Sequence, residues 1–478
     1  MDLMLTEPTS PVKAIHLIGI CGTAMASLAG MLQAKGFSVR GSDQNIYPPM
    51  STFLEEKGIR LFQGFSEENL APRPDLVVVG NAISRGNPEV EFTLNEKIRY
   101  ASMAEVLKEL FIRGKRSVVI AGTHGKTTTT SLLAWLLECG GMKPGFLIGG
   151  IAENFASSFK LGSGDLFVIE GDEYDTAFFD KGPKFLHYLP DWVVFNNCEY
   201  DHADIYSDFG AVQLSFKRLL NIIPSHGRLF AGWDDPVVRE LSPRAFCLVE
   251  TFGLAETAQW TARSIEIHPE VMRFEVWHEG TLWERFETGL SGAFNVKNSL
   301  AAIACAHGLG VERGVLRQAL REFKNVKRRL EIRGVVRGIT VFDDFAHHPT
   351  AIRETLTAVK ARYPGSRVWA IFEPRSATSR RNVFQQEFAR CFSQADHVTL
   401  CCPFASEKLH VSSRLNVEQV VSDLKKQGIP ADWQESAEAI VASVVPQLQA
   451  EDKVVIMSNG GFDGIHRKML AALQEKRS

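Results

Sequence analysis

The feature that most constrains this chain is an apolar run, Ser117-Val118-Val119-Ile120-Ala121, passing directly into Gly122-Thr123-His124-Gly125-Lys126-Thr127 and then a helical pattern, Thr128 to Cys139. A buried strand feeding a helix through a glycine-rich turn belongs to α/β folds with parallel sheets. Glycines let backbone N–H groups approach phosphate oxygens, and the helix N-terminus adds its positive end. Lys126 is then placed for the terminal phosphates of a nucleotide, and the Thr127 hydroxyl suits Mg²⁺. A strict phosphate loop has another glycine upstream of Gly125, but Ile120 and Ala121 stand there. The loop is the shorter G-x-x-G-K-T form. A bare strand-to-helix turn with a surface lysine is the competing reading, and the flanking elements weigh against it.

The same text begins twice more. Ala14 to Gly19 precedes a helical pattern from Ala24 to Leu32, and Phe37 to Arg40 then leads to Gly41-Ser42-Asp43, with a later strand at Leu76 to Gly80. Ile339 to Asp344 opens a third series, continued by Val368 to Glu373, His397 to Cys401 and Val454 to Ser458. At 478 residues, and roughly 100–200 per domain, three domains are expected. We place them at residues 1–112, 113–327 and 328–478. Between about 226 and 290, alternating segments such as Ser264 to His268 and Arg273 to His278 predict antiparallel strands.

A formal net charge of -3 gives no general attraction to nucleic acid. The eight cysteines are scattered without CxxC spacing, so neither zinc nor a disulfide framework is expected. No run of about 18 apolar residues predicts a membrane span, and Met1 to Val12 lacks the core of a signal peptide. The expectation is a cytoplasmic protein acting on small molecules, without a membrane partner.

Two polar clusters follow strands of the middle segment. Leu166 to Ile169 ends in Glu170-Gly171-Asp172-Glu173-Tyr174-Asp175, and the next strand, Trp192 to Asn196, ends in Asn196-Asn197-Cys198-Glu199-Tyr200-Asp201-His202. Such clusters often only cap helices. At the C-terminal edge of an open α/β sheet, behind a phosphate loop, they point to ligand and metal binding.

G-T-H-G-K-T, the E-x-D-E-x-D cluster and N-x-x-x-D-H together resemble the Mur ligases, the ATP-dependent amide-forming enzymes of peptidoglycan assembly. The resemblance continues at Asn295-Val296-Lys297-Asn298-Ser299-Leu300-Ala301-Ala302, at Arg329-Leu330-Glu331 and at Asp344-Phe345-Ala346-His347-His348-Pro349. It implies a three-domain α/β architecture: an N-terminal Rossmann-like domain, a central P-loop ATPase domain and a C-terminal Rossmann-like domain. It also implies ATP and Mg²⁺ or Mn²⁺ as cofactors, with ATP against Gly122, Thr123, Gly125, Lys126, Thr127, Thr128, Asn295, Arg329, Asp344 and His347. Metal would sit on Thr127, Glu173 and His202. Lys126, His124, Arg329 and His202 would be catalytic, with His124 also placed to touch the acceptor carboxylate. Lys217 stands fifteen residues after His202; several relatives carry a carbamylated lysine at a similar offset, but an ordinary helix lysine is expected here. Two departures are Gly171, where Ala is usual, and Phe294, where many relatives have His.

The first segment lacks a dinucleotide fingerprint, since Cys21 and Ala24 replace its second and third glycines. It resembles instead the UDP-sugar site of the family members acting on UDP-N-acetylmuramate. That implies acceptor contacts from Gly22, Thr23, Ala24, Met25, Asp43 and Ser84. Two branches share this domain, one adding L-alanine and one adding the recycled tripeptide L-alanyl-γ-D-glutamyl-meso-diaminopimelate. Tyr47 to Thr52, Asp172 to Asp180, Phe372 to Ser376 and Met457 to Phe462 favour the tripeptide branch. Arg375 suits a carboxylate and Asn459 can donate or accept, so both are expected to contact the peptide. The alternatives are the alanine ligase and, less favoured, a nucleotide-binding regulator without catalysis.

Overall fold

In the computed structural model, residues 12–46, 50–405 and 409–476 are described; Tyr47, Pro48 and Pro49, from one of the branch-specific stretches, lie outside them. The chain forms three main sheets. The first has five strands: Ala14–Ile18, Ser38–Asp43, Arg60–Gln63, Leu76–Val79 and Tyr100–Ser102. Ala14–Ile18 is central, with Ser38–Asp43 and Leu76–Val79 parallel on either side. The helix Thr23–Ala34 follows it and buries Met25, Leu28, Met31 and Leu32.

The second sheet has ten strands. Arg116–Ala121 lies in its middle, parallel to Leu166–Gly171 on one side and Pro190–Phe195 on the other. Ala121 pairs with both Gly171 and Phe195. Hence the two polar clusters leave the sheet on either side of the phosphate loop. The helix Lys126–Cys139 is buried on nearly all sides, between this sheet and the helix Ala293–Gly308, and it is apolar accordingly beyond its threonines. The strands Trp260–Ile267, Met272–His278 and Thr281–Thr288 are antiparallel, as the alternation predicted, and extend the edge of this sheet.

The third sheet has six strands, and at its middle Lys453–Met457 lies between Ile339–Asp344 and Val368–Phe372. Met457 pairs with both Asp344 and Phe372, which brings the turns after all three strands together. The edge strand Glu331–Val336, antiparallel to Ile339–Asp344, precedes the strand that the sequence marks as the start of this series. No helix among the described residues is long and apolar enough to cross a membrane.

Candidate active site

The phosphate loop owes its shape to two glycines in left-handed backbone, Gly122 at φ +128° and Gly125 at φ +81°. A Cβ on Gly122 would fall 2.9 Å from the Asn197 carbonyl, and one on Gly125 would overlap the Asn298 side chain. The loop is pinned from the neighbouring strand end: Asn197 Oδ1 accepts from His124 N at 2.8 Å, and the Asn197 carbonyl accepts from Thr123 N at 3.2 Å. Lys126 Nζ donates to the Gly122 carbonyl at 2.7 Å and to Glu173 Oε2 at 2.8 Å.

Glu173 is 2 % exposed in its side chain and meets His202 Nε2 at 3.1 Å as well as Lys126. Burial opposes its charge, but Lys126 and then His202 outweigh it and hold the carboxyl down to about 2. Burial likewise opposes the Lys126 charge, and Glu173, then Asp172, raise its pKa above the usual lysine value. Thr127 Oγ1 donates to Glu170 Oε2 at 3.0 Å, not to Glu173. Burial and the Asp172 charge push Glu170 up to about 7. The expected metal set is thus distributed, with Thr127 beside Glu170 and Glu173 beside His202. These hard oxygens, with the glycine cradle and the buried, unpartnered Asn196 Oδ1 beside it, fit a nucleotide triphosphate with Mg²⁺. Lys217 makes no hydrogen bond to this group among the described residues; it lies on the helix Phe209–Asn221.

The third sheet reaches the same place. Arg329 Nη2 donates to Thr127 Oγ1 at 3.1 Å. Asp344 accepts from Leu330 N at 2.7 Å and Ala346 N at 2.8 Å, fixing the turn that carries Arg329. Burial raises its pKa despite Arg329. His347 lies 4.0 Å from Asp201 and makes a 3.0 Å contact to the Phe345 carbonyl. Asn295, on the helix Ala293–Gly308, donates to the Ser291 carbonyl at 2.8 Å and accepts from Asn298 at 3.1 Å. Thr128 is buried in the first turn behind Lys126.

Three motifs meet in a group whose assembly the sequence did not signal. Glu199 accepts from Thr350 Oγ1 at 2.7 Å, and faces His124 Nε2 at 3.3 Å and His348 Nδ1 at 3.5 Å. Its partners come from the phosphate loop and from the third sheet's first helix. Burial opposes its charge too, but His124 outweighs it and holds Glu199 down to about 2.

At the first sheet, the helix Thr23–Ala34 has no side-chain cap at Gly22, leaving its first N–H groups open to an anion. Thr23, Ala24 and Met25 form its first turn. Asp43 accepts from Cys21 N at 2.9 Å and Asn45 N at 3.1 Å, so it shapes this loop. Ser84 is exposed on the facing loop, and Ile83 packs over Gly19. At the third sheet, Arg375 and Asn459 follow the adjacent strands Val368–Phe372 and Lys453–Met457. Arg375 Nη1 donates to Glu373 at 3.3 Å, and Asn459 Oδ1 is buried without a partner.

Family models match the chain along its length: the Mur ligase catalytic domain over 14–115, the Mur ligase middle domain over 120–306 and the Mur ligase glutamate ligase domain over 328–460. The chain belongs to the Mur ligase family. It is 42% identical over 467 residues to the UDP-N-acetylmuramate–L-alanyl-γ-D-glutamyl-meso-2,6-diaminoheptandioate ligase of Haemophilus influenzae, covering 97% of this chain and 100% of that one. With the UDP-N-acetylmuramate–L-alanine ligase of Alkaliphilus metalliredigens it shares 34% over 461 residues, 96% of this chain and 97% of that one. The crystal structure of a murein peptide ligase from Psychrobacter arcticus superposes with a TM-score of 0.73 at 37% identity, covering 97% of this chain and 99% of that one. The three-domain α/β architecture expected of a Mur ligase is the one observed.

Proposed function

We propose that this Mur ligase joins L-alanyl-γ-D-glutamyl-meso-diaminopimelate to UDP-N-acetylmuramate at the expense of ATP, recycling murein peptide in the cytoplasm. The observation that carries the choice of amine is that Arg375 and Asn459 both follow the C-terminal ends of two neighbouring central strands of the third sheet. Arg375 spends one N–H on Glu373, and Asn459 keeps a buried acceptor with no donor. L-Alanine brings one carboxylate, and its single amine is consumed in the reaction. The tripeptide brings further carboxylates and a second ammonium, which match a spare donor and a spare acceptor. The higher identity to the tripeptide-ligase relative points the same way.

The reaction has two steps. The lactyl carboxylate attacks the γ-phosphorus of ATP, giving an acyl phosphate and ADP. The alanyl amine then attacks the acyl carbon, and the amide forms as hydrogen phosphate leaves with the proton that the amine loses. Phosphoryl transfer depends mainly on positioning and charge neutralisation. Lys126 faces the terminal phosphates, Arg329 approaches from the third domain, and His124 stands beside the acceptor carboxylate. Mg²⁺, or Mn²⁺, would be held by Thr127, Glu170, Glu173 and His202 and would neutralise phosphate charge. Asn295 would read the adenine, with His347 and Asp344 closing the nucleotide site from the third domain. Gly22 to Met25, Asp43 and Ser84 would hold the nucleotide sugar.

Offering alanine and tripeptide separately with ATP and UDP-N-acetylmuramate, and measuring phosphate release, tests the reading. Release with tripeptide is expected. Release with alanine alone would make this the alanine ligase, and none with either amine would revive a non-catalytic role.

A further inference from the structure

The Arg375 side chain lies against two surfaces. Its guanidinium carbon is 3.7 Å from the centroid of the Phe404 ring. On another side it lies so close to the backbone that a Cβ on Gly460 would overlap its Nε and Cδ. Apart from the 3.3 Å bond from Nη1 to Glu373, the guanidinium makes no hydrogen bond among the described residues. Phe404 is 45% exposed, so its ring contributes little to any core. Its backbone is nonetheless tied to the turn that carries Arg375. Phe404 N donates to the Pro374 carbonyl at 3.0 Å, and the Phe404 carbonyl accepts from Arg380 at 3.1 Å. An aromatic face against a guanidinium fixes its plane while leaving its N–H edges free for a carboxylate.

We infer that Phe404 is a positioning residue for the amine substrate, holding Arg375 so that its unused N–H groups receive a peptide carboxylate. This rests on the reading of the Arg375–Asn459 edge as the peptide site. Full-length Phe404→Ala and Phe404→Trp are compared with the parent protein in steady-state kinetics. The substrates are ATP, UDP-N-acetylmuramate, and the tripeptide either free or with its diaminopimelate carboxylates amidated. For Phe404→Ala the tripeptide KM should rise ~10-fold with kcat within ~2-fold and both other KM values unmoved, while Phe404→Trp stays near the parent. Amidation should cost the parent ~10-fold or more and Phe404→Ala much less. An unchanged tripeptide KM in Phe404→Ala, equal rises for all three substrates, or the same amidation cost in both proteins would overturn the inference. Parent turnover with alanine alone would sink the functional reading instead. The same KM comparison, made with alanine, would then decide whether Phe404 positions Arg375.

Discussion

The Thr350 hydroxyl donates to the Glu199 carboxylate at 2.7 Å, joining the first turn of a third-domain helix to the turn beside the phosphate loop. With Arg329 on Thr127, this is a direct tie between the middle and third domains at the proposed nucleotide site. Thr350→Val removes the hydrogen bond and keeps the shape of the side chain. Groups from both domains at the proposed nucleotide site predict that nucleotide draws the domains together. A bond to a carboxylate 34% exposed is worth about 1–2 kcal/mol, so that compaction should need ~5–30-fold more ATP analogue. Small-angle scattering across an analogue titration measures this, and a curve overlaying the parent's would rule out the tie.

The pH dependence of the same contact follows from His348. Burial, then the charge of His124, push its pKa down to about 4. With the domains apart, the imidazole returns to an ordinary value of about 6.5. A depressed histidine favours the closed form fully above about 6.5, and that contribution is lost as pH falls toward 4. At pH 5 closure should be weaker by about 2 kcal/mol. Scattering at pH 7.5 and pH 5 should show expansion at the lower pH, and His348→Gln should flatten the difference.

Lys126→Met should abolish phosphate release, because among the described residues no other lysine or arginine contacts both the loop carbonyls and Glu173. It also leaves Glu173 buried with His202 alone. The loss of stability should be about 3 kcal/mol, near the low end for breaking a buried pair. Thermal unfolding checks the second effect separately from activity, and an unshifted Tm would contradict it.

Gly125→Ala places a methyl group against Asn298 at a left-handed backbone position. The helix Lys126–Cys139 should survive, since its other contacts are untouched, but the loop must shift. Nucleotide affinity is expected to fall ~100-fold or more while far-ultraviolet circular dichroism stays unchanged. Retained affinity by calorimetry would show that the cradle tolerates the distortion.

How much of this was legible beforehand depends on the range of each interaction. Val118 to Ala121 and Val341-Phe342 are buried apolar runs inside Arg116–Ala121 and Ile339–Asp344, so these strands read directly from the text. Glu331–Val336 buries no residue at the sheet edge and contains Gly334, so nothing local marks it as a strand. The residues around Lys126 were readable because their motif is continuous in sequence. Their partition was not: Glu170, on Thr127, still lies in the strand Leu166–Gly171, whereas Glu173, on Lys126, lies in the turn beyond its end. The Glu199–Thr350 bond spans 151 residues and had no sequence signature at all.

The hairpin of Asp175–Ala177 and Asp180–Pro183 belongs by sequence to the middle domain, yet Phe178 between its strands packs against the first domain's buried cluster, which includes Ile18, Val77 and Val79. Phe179 beside it meets Tyr100 edge-on at 5.1 Å. The first module therefore borrows part of its apolar packing from the next one. Excised at residue 112, it would lose the Phe178 ring that packs against its own buried cluster. Swapping first domains between family members would have to carry this hairpin along as a graft.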